Sequence, residues 1–207
     1  MSKPYSGIPL DEKRTWVVPR WLKEAFVAFA VVAVLAVGIS KSAQHFGGAT
    51  ERARNAVEAD ELDGSPARAF RLPGRGGGEV DLGALRGKLV LVNFWATWCP
   101  PCREEMPSLT RLAQGFDPRS FEVVAVSVEE AWEPVDRFLG LPKTPFRVAL
   151  DRGSNVSRAY GTTRFPESYL VDREGRLRLK FVGPRNWTDP QMSALLREYG
   201  AQPIGRP

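Results

Sequence analysis

Apolar residues fall into three regimes along this chain. From Ala25 to Ile39 the sequence AFVAFAVVAVLAVGI carries no charge, and Lys23, Glu24 and Lys41 bracket it. So uniform a run leaves no polar face for a soluble amphipathic helix. With Trp21, Leu22 and the Ser40–Phe46 stretch covering the interfaces, it approaches the ~20 residues that cross a bilayer. A cleavable signal peptide has an apolar segment of this length too. Here, however, a long segment precedes the run and no clean A-x-A site follows, Ala36-Val37-Gly38 being the nearest. The favoured reading is an uncleaved transmembrane signal-anchor over residues 23–43. Lys3, Lys13, Arg14, Arg20 and Lys23 precede the span. The basic residues after it, Lys41, Arg52 and Arg54, are diluted by Glu51, Glu58, Asp60, Glu61 and Asp63. The positive-inside rule then places residues 1–22 in the cytoplasm and everything after the span outside.

The second regime, 44–66, is polar, small and acidic, and reads as a linker with helical character between Glu51 and Leu62. The third, 67–207, alternates strand and helix patterns. Lys88–Ala96 (KLVLVNFWA) is a continuous β-branched and aromatic run, the signature of a strand buried on both faces. A helix is predicted over Arg103–Gln114, a strand over Phe121–Val128, a short helix at Val135–Leu139 and a strand at Phe146–Leu150. A short helix over Asn155–Tyr160 comes next. Strands at Ser168–Val171 and Leu177–Phe181 flank the turn DREG, and Thr188 opens a final helix closed by Gly200. A βαβ unit followed by an antiparallel hairpin and a helix predicts an α/β fold with a mixed central sheet flanked by helices. The glycine-rich GRGGGE at 74–79 lies between short strand signals and reads as a hairpin loop.

Composition narrows the chemistry. The single histidine, His45, leaves no material for a His-ligated metal centre or a Ser-His-Asp triad, and two cysteines cannot make a disulfide scaffold. The 29 Lys+Arg are dispersed among 24 Asp+Glu. That is a solvated surface with a basic bias rather than a nucleic-acid interface, and it suits anionic lipid headgroups. Both cysteines lie in WCPPC, directly after the predicted buried strand. Pro100 and Pro101 are tolerated in a first helical turn, whose N–H groups lack acceptors within the helix. Cys99 then sits at the positive end of the helix dipole, which favours its thiolate, with Cys102 one turn on and on the same side. That spacing suits thiol–disulfide exchange, Cys99 attacking and Cys102 resolving. A structural disulfide over so short a loop would contribute little, and zinc needs about four ligands. Cu(I) held by two thiolates remains open chemically.

The stretch LVNFWATWCPPCREEMP (91–107) resembles the active-site strand and helix of the thioredoxin superfamily. More closely, the chain is similar to the membrane-anchored TlpA/ResA branch, with the cytochrome c maturation thioredoxin CcmG (DsbE) as a neighbour. FRLPG…GGEVDLGALRGK (70–88), an N-terminal β-hairpin, and YGTTRFPESYLVDREGRL (160–177) extend the match over most of 67–207. The resemblance implies a thioredoxin-like fold without a cofactor and a redox-active Cys99–Cys102 disulfide. It implies that Pro166 is a cis-proline beside the pair and that Trp98 shields the site. Trp98, Pro100, Pro101 and Phe165 would line the substrate groove, Phe165 replacing a smaller residue. It also makes Glu105 the carboxylate that takes the Cys102 proton. Asn93 stands where many thioredoxins bury an acid, and Glu167 follows the proline with no derivable role.

The function implied is an extracytoplasmic thiol-disulfide oxidoreductase in the bacterial cytoplasmic membrane, its C-terminal domain facing the periplasm. It would reduce disulfides in cysteine-containing clients, apocytochrome c among them, and be re-reduced by a membrane electron donor. Alternatives are a general disulfide oxidant and a Cu(I) metallochaperone of the same fold. A peroxidase lacks its Thr-x-x-Cys site here.

Overall fold

The computed structural model describes residues 29–32, 34, 50–140 and 143–204. The expected cytoplasmic segment, most of the 23–43 span and His45 lie outside the described residues. Of the span, residues 29–32 and 34 are helical, and Phe29, Val31, Val32 and Val34 are exposed. Among the described residues, no helix is long and apolar enough to cross a membrane.

Residues from Gly48 onward form one compact unit. Its strands are β1 (Ala59–Glu61), β2 (Arg71–Pro73), β3 (Glu79–Asp81), β4 (Leu89–Trp95), β5 (Phe121–Ser127), β6 (Arg147–Leu150), β7 (Glu167–Val171) and β8 (Leu177–Val182). Besides a helical stretch at residues 50–56, its helices include α1 (Pro100–Gly115), α2 (Trp132–Leu139), α3 (Asn155–Ala159) and α4 (Pro190–Glu198). A six-stranded sheet has the order β1-β8-β7-β4-β5-β6, while β2 and β3 pair as a separate hairpin. Strands β4, β5 and β6 are parallel, as βαβ crossovers require, and β7, β8 and β1 run antiparallel to their neighbours. The expected mixed sheet and the hairpin loop at 74–79 are therefore both present.

Strand β4 is buried along its whole length because both sheet faces are covered. Leu89, Leu91 and Trp95 pack with Cys102, Met106, Leu109 and Leu112 of α1 and Met192, Leu195 and Leu196 of α4. Val90, Val92 and Phe94 point the other way, against Phe70, Val80, Leu82 and Leu85 from the hairpin region and Tyr169. The period-two alternation that a continuous apolar run conceals thus sorts the strand into two cores. Asn93, on the face shared with Leu91 and Trp95, is aimed at α1.

Two expectations are corrected. The segment 44–66 is not a free linker up to residue 66. Residues 50–56 are helical, and β1 then adds to the sheet by pairing with β8, Ala59 opposite Phe181 and Glu61 opposite Leu179. Ala53, Val57 and Ala59 join the α1-side core. The unpaired edge of β8 explains this, since a short polar strand satisfies its backbone groups without needing an apolar pattern of its own. The last helix is capped by Asp189, whose carboxylate accepts the Gln191 N–H at 2.8 Å. Thr188, the expected start, instead donates its hydroxyl to Asn186 at 2.6 Å.

A chain trimmed to begin at residue 67 should therefore be less stable than one beginning at 48. Loss of Val57, Ala53 and Ala59 from the core costs about 3 kcal/mol, a fall in Tm of roughly 10 °C for a domain of this size. Equal melting temperatures would show that the added strand contributes nothing.

Candidate active site at the end of the central strand

Strand β4 delivers the chain to the carboxyl edge of the sheet, where it turns sharply into α1. The turn is fixed from β5's side: Glu129 accepts the Thr97 backbone N–H at 2.8 Å and the Thr97 hydroxyl as well. Cys99 occupies the N-cap in an extended conformation, and Pro100 and Pro101 fill the first helical positions. Cys102 donates its backbone N–H to Cys99 Sγ at 3.3 Å. The two sulfurs are joined, with Cα atoms 5.3 Å apart. Cys99 keeps 5 % exposure and Cys102 none, so an incoming thiolate or disulfide can reach only the first sulfur.

The Phe165–Pro166 peptide is cis, and the Phe165 carbonyl oxygen lies 3.5 Å from Cys99 Sγ. In the disulfide that sulfur carries no proton, so the contact becomes a hydrogen bond only when Cys99 is a thiol. Trp98 is 63 % exposed and meets the Phe165 ring edge-on, centroids 5.8 Å apart. Together the two rings form a rim next to Cys99. Pro100 is exposed and Pro101 half-buried, completing an apolar border around Cys99. Glu167, next to Pro166, is buried. It ion-pairs with Lys180 at 3.0 Å and accepts the Tyr169 hydroxyl at 3.1 Å.

Glu105 lies one turn beyond Cys102 on the same side of α1. Only 3 % of it is exposed, whereas Glu104 is on the surface. It accepts from Asn93 Nδ2 at 2.8 Å, the Arg185 backbone N–H at 3.1 Å and Trp187 Nε1 at 3.2 Å. Burial pushes its carboxyl from the ordinary 4.5 up to about 7, against the pull of these three donors and the Arg185 charge. Asn93 Nδ2 also donates to Ser168 Oγ at 2.9 Å, while its Oδ1 is buried without a partner. An amide offers both a donor and an acceptor, so turning it over would let it accept the proton of a neutral Glu105.

The structure thus brings the cysteines, Phe165 and Pro166 together and places Glu105 one turn beyond Cys102, bonded to Asn93. Arg185, Trp187, Ser168 and Glu129 escaped the reading of the sequence. They come from loops and strands far away in the chain, and no local pattern marks them. The sole hint was Trp187, a large aromatic residue inside the polar stretch PRNWTDP. Among the described residues, no group of three His, Cys, Asp or Glu side chains is placed to hold a metal ion.

A model of the Redoxin family matches residues 62–196. The chain belongs to the Redoxin family. Thiol-disulfide oxidoreductase ResA of Bacillus anthracis is 31 % identical over 135 residues, covering 65 % of this chain and 77 % of that protein. ResA of Bacillus subtilis is 36 % identical over 115 residues, 56 % of this chain and 64 % of that one. Among solved structures, a chain described as thiol:disulfide interchange protein DsbE from Chlorobium tepidum superposes with a TM-score of 0.61. The two are 33 % identical, over 68 % of this chain and 99 % of that one. This Redoxin-family protein is a thioredoxin-like thiol-disulfide oxidoreductase of the TlpA/ResA/CcmG type.

The raised Glu105 midpoint has a stability consequence. Below 4.5 folded and unfolded states are both protonated there and the full stability is present. As pH rises through about 7 the unfolded chain releases the proton more readily, and stability is lost. At about 1.4 kcal/mol per unit the loss is ~3 kcal/mol. Urea unfolding of the oxidised protein at pH 5 and pH 8 should show it, and Glu105→Gln should remove most of the difference. An unchanged difference in the variant would mean that other groups carry it.

Proposed function

We propose that this chain is a membrane-anchored, extracytoplasmic reductase of protein disulfides. The observation that carries the reading is a redox pair with one reachable sulfur and a buried carboxylate, protonatable near neutrality, one turn behind the other. The positively charged N-terminus and the apolar run after it support an anchor over 23–43 in the bacterial cytoplasmic membrane, with the catalytic domain on the far side. Similarity to ResA and DsbE proteins supports thiol-disulfide chemistry, and the resemblance to the cytochrome c maturation branch favours the reducing direction.

In this mechanism the Cys99 thiolate attacks one sulfur of a client disulfide. A Cys99–client bond forms, the client S–S bond breaks, and the first client sulfur leaves as a thiolate. Cys102 then passes its proton to Glu105 and attacks Cys99 Sγ, closing the internal disulfide and releasing the second client thiolate. Two electrons have moved to the client, and a dithiol donor in the membrane must return them. A base near 7 holds both protonation states at working pH, as general base catalysis requires. The exposed Trp98 and Pro100 and the half-buried Phe165 form an apolar border for a peptide flanking the disulfide. The haem-attachment cysteines of apocytochrome c are one fitting client.

Reduced protein mixed with an oxidised Cys-x-x-Cys-His peptide should yield reduced peptide and the Cys99–Cys102 disulfide. Cys99→Ser should abolish transfer, and Cys102→Ser should accumulate a mixed disulfide at Cys99. Transfer surviving in Cys99→Ser, or no transfer by the unaltered chain, would overturn the reading.

A further inference from the structure

Two of the three donors to Glu105 come from one short loop between β8 and α4, through Arg185 N–H and Trp187 Nε1. That loop has no regular pairing of its own. Ser108 ties it to α1, accepting the Trp187 N–H at 3.2 Å and donating to the Arg185 carbonyl at 3.4 Å. Gly183 N–H also ties it to the Pro166 carbonyl at 2.9 Å, and the Arg185 side chain reaches to the N-terminal segment preceding β1. Nε donates to the Val57 carbonyl at 3.1 Å and Nη2 to the Glu58 carbonyl at 3.1 Å, while Nη1 donates to Pro184 within the loop at 2.9 Å. Glu58 holds a left-handed backbone, φ 51°, a conformation uncommon outside glycine. Val57 is packed in the same core as Trp187. An open pocket of about 350 Å³ is lined by Glu104, Glu105, Ser108, Arg111 and Pro184–Asn186, so the loop forms part of the wall between this carboxylate and the surface.

We infer that Arg185 is a positioning residue: by gripping the Val57 and Glu58 carbonyls it keeps the 184–187 loop closed over Glu105. In this way it excludes water from the carboxylate that serves Cys102. The docked N-terminal segment, the part of the chain leading from the expected anchor, thereby becomes part of the active site. A guanidinium suits this task because its planar fork serves several carbonyls at once, which a lysine ammonium cannot reproduce. The Glu58 carboxylate, 3.5 Å from Nη2, is 81 % exposed and adds little.

The sign of the effect separates a clamp from a mere charge. The charged groups facing Glu105 are Arg185 from the loop and Glu104 and Arg111 from α1. Asn93 of β4, Ser168 of β7 and Trp187 are neutral. Removing the Arg185 charge with the loop still shut would raise the Glu105 midpoint. Opening the loop hydrates the carboxylate and lowers it, and desolvation is the largest influence on this group.

The test is a carboxyl NMR titration of Glu105 in the oxidised full-length chain and in Arg185→Lys, which keeps the charge but loses the fork. The expected result is a midpoint lower by about one unit, toward 4.5, in the variant. The pH profile of client reduction should shift with it, and in a Glu105→Gln background the same substitution should leave the profile where it was. An unchanged or higher midpoint overturns the clamp. If Arg185→Lys does not fold, hydrogen exchange in the unaltered protein decides. Slow, coupled exchange of Arg185 N–H and Trp187 Nε1–H supports a closed loop, and fast exchange overturns it. The inference rests on the reductase reading only for the use made of Glu105. An unaltered chain that fails to reduce client disulfide defeats that reading alone, whereas an active chain whose midpoint ignores Arg185→Lys defeats only the clamp.

Discussion

Beneath the first turn of the redox helix a glutamate is removed from water and handed three hydrogen-bond donors. Those donors come from β4, from the Arg185 backbone and from the Trp187 indole. The central strand brings the first, and the loop after β8 brings the other two. β4 needs its parallel and antiparallel neighbours to place Asn93 in register with Ser168. The loop after β8 needs Ser108 on one side and the N-terminal segment on the other. A carboxyl buried with no donors would simply stay protonated, and one with a full ion pair would stay charged. Burial against neutral donors leaves it between these limits, which is the condition for taking a proton from Cys102 and giving it back.

The same geometry divides the labour of the two sulfurs. The sharp exit from β4, held by Glu129 on Thr97, puts Cys99 at the helix end where N–H groups favour a thiolate. Cys102, one turn in and wholly buried, meets only a sulfur that has already reacted. The Phe165 carbonyl 3.5 Å from Cys99 marks the side from which a client backbone would arrive. The reachable sulfur of Cys99 and the buried carboxyl of Glu105 are thus separated by nearly two helical turns, with Cys102 between them.

Much of this was legible in the sequence where the signal was local. The unbroken apolar run at 88–96 located the central strand within a residue at each end, because a strand covered on both faces tolerates nothing polar except Asn93, which has partners. WCPPC placed the cysteines at a helix start, and the i, i+3 relation of Cys102 to Glu105 put them on one face. What stayed hidden depends on contacts between distant segments. Ala-Asp-Glu at 59–61 has no strand pattern, since its pairing is dictated by the open edge of β8. Trp187 and Arg185 are joined to Glu105 only after β8 and α4 have docked. The left-handed Glu58, which turns the chain at the Arg185 fork, gives no sign in composition or periodicity.

The central claim is that this arrangement makes a reductant of client disulfides. The most direct test is the reduction potential of the Cys99–Cys102 pair, measured by equilibrating the full chain with defined glutathione ratios at pH 7. The account predicts a value near thioredoxin's, about −270 mV, or modestly above it. A value near about −120 mV, that of a strong oxidant, would contradict it.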